Sequence, residues 1–148
     1  MRPAAVAVAA ALTLGLAGPA ASSLLYSTVA KGTAARGEPP RAHLSLDRAG
    51  VARFSAKLRK EDRARVRAVD FRRFAVVAAF VTLPTPCHAY DIASIERRRR
   101  TLVVSLVVGE QQGPCILPIT PAYQVVKVRT TALGPRPPTR AILRVVEW

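Results

Sequence analysis

Acidic residues are scarce in this chain. Nine Asp and Glu stand against 23 Lys and Arg in 148 residues, a formal net charge of +14. Aromatic residues make up only 5%, so any core must be built from Val, Leu, Ile and Ala. Few side chains are then left over to stack on the bases of single-stranded nucleic acid. There are two cysteines, Cys87 and Cys115. Their spacing excludes the Cys-x-x-Cys of redox pairs and the paired ligands of zinc modules. The eight glycines are scattered, so no phosphate-cradling loop exists. Neither Gly-x-Ser-x-Gly nor a paired-carboxylate signature is present. After the N-terminal region no run of eighteen apolar residues occurs, which excludes a later membrane-spanning helix.

The chain is long enough for one domain with a real core. Its start, Met1-Arg2-Pro3, is basic, and residues Ala4 to Ala17 carry no charge. The small, helix-breaking segment Gly18-Pro19-Ala20-Ala21 follows. That order reads as a secretory signal peptide over 1–21, with 22–148 as a single small domain that is secreted or extracytoplasmic. The alternative is an uncleaved N-terminal anchor, since Ala4 to Leu25 could just span a bilayer. The abundance of Arg together with Ala is what a GC-rich coding bias produces, so part of the charge is compositional. The remainder favours acidic partners.

Leu24 to Thr33 and Ala42 to Leu46 read as strands, separated by Gly37-Glu38-Pro39-Pro40. Asp47 is placed to cap a helix carrying Val51, Phe54 and Leu58 on one face and continuing to Val69, its other face mostly Arg and Lys. Gly50 should weaken that helix by about 1 kcal/mol relative to Ala. Phe74 to Leu83 is apolar on both faces, the pattern of a central strand covered on both sides, and Pro84 and Pro86 end it. His88 to Ile95 and Thr101 to Val108 follow as strands around a hairpin tip at Arg97–Arg100, where four adjacent arginines can be solvated. Tyr123 to Thr130 and Arg140 to Trp148 complete the set. The expected class is α+β, mainly β: a small antiparallel sheet or sandwich-like domain with one helix packed on it.

In an exported chain two cysteines predict a disulfide, Cys87–Cys115, closing a loop of about 29 residues and contributing about 3–4 kcal/mol in the chain-entropy model. A zinc site from His43, Cys87, His88 and Cys115 has the atom types but not the spacing. Adjacent Cys87 and His88 in an extended strand would also point to opposite faces. No metal and no cofactor are expected. His43 and His88 could serve a small basic hydrolase, but nothing in the sequence places them near each other or near an orienting carboxylate. The reading is therefore against an enzyme.

Val69-Asp70-Phe71, the strand from Phe74 to Val81, Pro84-Thr85, Ile92-x-x-Ile95 and Tyr123-Gln124-Val125-Val126-Lys127-Val128 resemble, in order and spacing, the C-terminal domain of the PrcB family. That family is named for a subunit of a bacterial surface protease complex. The resemblance covers about residues 68–130. Pro86 and Cys87 stand where the family has turn glycines, His88 where it has an aromatic, and one extra residue separates Pro121 from Tyr123. The resemblance implies a non-catalytic accessory module that stabilises or modulates a protein partner such as a protease. Binding would use Thr85 and His88 at the turn and Arg97, Arg98, Arg99 and Arg100 at the tip. The alternative is an electrostatic binder of anionic envelope polymers or lipids; nucleic acid is not the expected partner.

Overall fold

The computed structural model describes residues 22–34 and 37–147. The expected export segment, 1–21, lies outside them. The strands are β1 (Ser22–Ser23), β2 (Tyr26–Thr33), β3 (Arg41–Ser45), β4 (Phe74–Leu83), β5 (His88–Arg98), β6 (Thr101–Gln111), β7 (Thr120–Arg129) and β8 (Arg140–Glu147). Two helices, α1 (Arg48–Ser55) and α2 (Lys60–Arg67), lie between β3 and β4, and a short 3₁₀ turn, Thr130–Leu133, follows β7.

These strands form two four-stranded sheets, ordered β1-β5-β6-β8 and β2-β7-β4-β3. The expected mainly-β, α+β sandwich is the observed architecture. Alternation along β4 explains the layering. Ala75, Val77, Ala79, Val81 and Leu83 face the first sheet and meet Ile95, Leu102, Val104 and Leu106. Val76, Ala78 and Phe80 face the other way, onto Val51, Phe54, Leu58 and Val66 of the helical layer. The doubly apolar strand is thus the middle of three layers, as period-two side chains buried on both faces require.

Two details differ from the sequence reading. The expected helix is broken into two at Ala56–Arg59. Bonds from Lys57 N to Phe54 O and from Leu58 N to Ser55 O tighten the end of α1 into a 3₁₀-like turn, and Arg59 is extended (φ −61°, ψ 153°). The break seats Leu58 in the core and lets Asp62 reach Tyr123. Asp47 does cap α1, accepting from Gly50 N at 2.8 Å. Gly50 has a packing reason to be there, because a Cβ would come 2.9 Å from Ser45 Cβ. Secondly, β8 pairs with β6 in parallel, whereas every other pair is antiparallel. Between β6 and β8 the chain crosses into the second sheet as β7, and so returns running in the same direction.

Strand direction sorts the chain's chemistry into two ends. β4 and β7 pair with Phe74 opposite Arg129 and Leu83 opposite Thr120. The β5–β6 hairpin turns at Arg98↔Thr101, and Thr101 aligns with Arg140 of β8. One pole therefore carries the arginine tip, the end of β7 and the starts of β2, β4 and β8. The other carries Pro84–His88, the loop 112–119 and the end of β8.

Candidate functional site

Cys87 and Cys115 are joined in a disulfide, Cα–Cα 6.2 Å. Both sulfurs are thereby removed from the zinc set. Among the described residues, no three His, Cys, Asp or Glu side chains gather where they could hold a metal ion. Thr85 organises the turn before the disulfide. Its hydroxyl accepts from Cys87 N at 3.3 Å and lies 2.9 Å from His88 Nδ1, while His88 N donates to Thr85 O at 3.3 Å. On the far side of the bridge, Gln112 N donates to Cys87 O at 2.9 Å.

Beyond Cys115 the loop turns three large aliphatic side chains outward: Ile116, Leu117 and Ile119 are 101%, 56% and 70% exposed. Such a cluster on an anchored loop is unusual for an isolated surface, since burying each side chain is worth about 1.5–3 kcal/mol. No strand or helix pattern in the sequence covers this segment. The available signal was three large aliphatics in a run too interrupted by Pro114 and Pro118 to become a strand. Charges neighbouring this pole include the carboxylates Glu110 and Glu147, which share a surface hollow with Pro84 and His88.

Thr85 and His88 meet at the turn, but this pair and the arginine tip do not come together. β5 is 11 residues long, so His88 at its start and Arg98 at its end lie about 33 Å apart at about 3.3 Å per residue. At the tip, Arg97 is half-buried and structural; its guanidinium donates to the carbonyls of Arg99 (3.0 Å) and Arg136. Arg98 pairs with Glu96 at 3.2 Å. Arg99 and Arg100 form the two-residue turn, exposed, with Arg99 in the left-handed region at φ 56°.

A second cationic group at this pole escaped the sequence reading, which took Phe74 as core. Phe74 is only half-buried. Lys127, Arg129 and Arg73 stand over its ring at 4.5, 5.5 and 5.7 Å from the centroid. Lys127 and Arg129 share a face of β7 two residues apart, which could have been read from strand periodicity.

Three of the eight basic side chains in the helical segment, Lys57, Arg59 and Arg65, are paired with carboxylates. Buried Asp62 accepts from Tyr123 Oη and from Arg59, with Arg65 3.6 Å from its other oxygen. Glu38, also buried, bonds His43 Nε2 at 2.9 Å and has Arg41 at 3.5 Å. Lys57 stands 2.9 Å from Glu38 Oε2, close enough for an ion pair although off the hydrogen-bond direction. Burial would raise the Glu38 carboxyl, but Lys57 and His43 outweigh it and hold it below the usual carboxylate range. His43 itself packs between Phe54 and Phe80 at 5.5 and 5.6 Å, far in role from His88.

All three tyrosines tie elements together, and all are pushed above the ordinary phenol value. Tyr90, bonded to the carbonyls of Gly32 and Tyr123, is raised by burial to about 12. Burial likewise raises Tyr26, helped by the charge of Asp91, and Tyr123, helped by its bond to Asp62.

Comparison with protein-family models, with curated proteins and with solved structures found no match to this chain. No helix among the described residues is long and apolar enough to cross a membrane.

Proposed function

We propose that the chain is an exported, non-catalytic accessory domain that binds a protein partner through its disulfide pole. The observation that carries this reading is the loop beyond Cys115, where Ile116, Leu117 and Ile119 stand in solvent on a segment held by a covalent bridge. A pre-ordered apolar loop loses little conformational entropy on docking, so its burial in an apolar cleft is available as affinity. Among the described residues, the hollow beside this pole is lined by the carboxylates Glu110 and Glu147 and by no lysine or arginine, which disfavours an anionic membrane as its occupant and favours a protein cleft. The resemblance to the PrcB family over residues 68–130 adds the class of partner, a surface protease whose stability or activity the domain modulates. Thr85 and His88 then act by shaping the turn that carries Cys87. Export is supported by the N-terminal sequence and by a disulfide that persists in oxidising compartments.

The test is affinity capture from the envelope fraction and culture medium with the wild-type chain and with Ile116→Asp/Leu117→Asp. The expected result is a partner held by the wild type at raised salt, lost by the double variant, and altered in proteolytic activity or lifetime when the domain is removed. A partner retained undiminished by the double variant, or one released by salt alone, would overturn the reading.

A further inference from the structure

We infer that the opposite pole docks on an anionic phospholipid surface, with Phe74 and its three cations receiving lipid phosphate and Leu25 entering the apolar layer. This does not rest on the function proposed for the disulfide pole. Lys127, Arg129 and Arg73 converge on one ring, yet none has a carboxylate within ion-pair distance among the described residues. Three like charges gathered without an internal counter-charge repel one another, and a phosphate among them would relieve that repulsion. Of the carboxylates at this pole, Glu96 pairs with Arg98, and Asp70, whose Oδ1 accepts from Arg72 N at 3.0 Å, forms no ion pair with any of the three.

The second observation is Leu25. It lines the same cleft as Phe74, Lys127 and Arg129, yet is 92% exposed. Its neighbour Leu24 turns into the core and donates its amide to Ile95 O at 2.8 Å, which fixes Leu25 outward. A lone projecting aliphatic beside a basic cluster combines the two terms of surface attachment to membranes, acyl-layer burial and attraction to anionic headgroups. A soluble polyanion would use the cations but gain nothing from Leu25.

The experiment uses the full chain with the single native tryptophan replaced, Trp148→Phe, and a reporter introduced as Leu25→Trp. It is mixed with phosphatidylcholine vesicles, with phosphatidylcholine–phosphatidylglycerol vesicles, and with polyphosphate. The emission should shift to the blue on the anionic vesicles only. Replacing Arg73, Lys127 and Arg129 by Gln should weaken that response about a hundredfold, at about fivefold per cation, with the circular dichroism spectrum unchanged. Leu25→Asn, at an exposed position that cannot disturb the core, should weaken sedimentation with anionic vesicles about tenfold and leave polyphosphate binding intact. An equal blue shift on neutral vesicles, no shift on anionic ones, or an undiminished response in the triple variant would overturn the proposal. So would polyphosphate binding as tight as vesicle binding with no effect of Leu25→Asn.

Discussion

Gln124, on β7 of one sheet, accepts the amide hydrogen of Ile92, on β5 of the other, at 2.7 Å. Its amide nitrogen donates to Asp91 Oδ1 at 2.7 Å and to Thr28 Oγ1 at 3.1 Å. Tyr26 donates to the Ile92 carbonyl from the same side. β1 is only two residues long and covers β5 only at Glu96 and Arg97. Beyond the Leu24 amide on the Ile95 carbonyl, that sheet edge is closed at Ile92 by side chains instead of a strand. A buried amide left without its partner costs about 1–3 kcal/mol. Gln124→Leu, similar in volume, is expected to destabilise the domain by that amount in denaturant melts. A variant as stable as the wild type would show that water replaces the bond at no cost.

The tyrosines predict a pH dependence. Each has a folded pKa raised above its unfolded value of about 10, Tyr90 to about 12. A raised pKa means that the protonated form is favoured by folding. Their contribution is therefore complete below about pH 10 and is lost as pH climbs toward the folded value. Because these are the only three tyrosines, ultraviolet titration reads them cleanly. Folded protein should form less tyrosinate at pH 10 than the chain in urea, which is about half ionised there, and Tyr90 should be the most resistant of the three. Glu38 has the opposite sign. Its lowered pKa gives stability that is present above the unfolded carboxylate value and lost as pH falls through the folded one.

The fold was legible where periodicity speaks. β4 was read as doubly covered because both of its faces are apolar, and the disulfide followed from cysteine count and export. What stayed hidden was set by contacts distant in sequence. The helix break depends on Asp62 reaching Tyr123, 61 residues on. The parallel pairing of β8 depends on the chain changing sheets, which no local pattern announces. The candidate surfaces failed for a related reason. Phe74 looked like core because its strand is core, yet the helical layer leaves its ring half-open to Lys127 and Arg129. Ile116, Leu117 and Ile119 had no period to report at all.

The disulfide should matter for the loop more than for the sandwich. Cys87 and Cys115 sit outside the strands, at the turn after β4 and in the loop before β7. Cys87→Ser/Cys115→Ser is expected to lower stability by about 3–4 kcal/mol in the chain-entropy model. It should also raise amide exchange across 112–119 while leaving exchange in β4 and β6 that of a folded sheet. Alkylation of the native protein without reductant should modify neither cysteine. Labelling of both would remove the staple from the account.

Arg99 gives the sharpest separation of stability from binding. It is the first residue of the two-residue turn between Arg98 and Thr101, and it alone among non-glycine described residues has positive φ, at 56°. Hairpin turns with positive φ at the first position favour glycine there, and a side chain in that region costs about 1–2 kcal/mol. Arg99→Gly should therefore stabilise the domain, raising the melting temperature by about 3–5 °C. The same change removes one exposed cation from the basic pole, so affinity for anionic vesicles should fall by up to about fivefold. A more stable protein that binds less well would mean that the strained arginine is kept for what it touches rather than for the fold. A substitution that weakened both would show the Arg99 side chain to be structural, as that of Arg97 is.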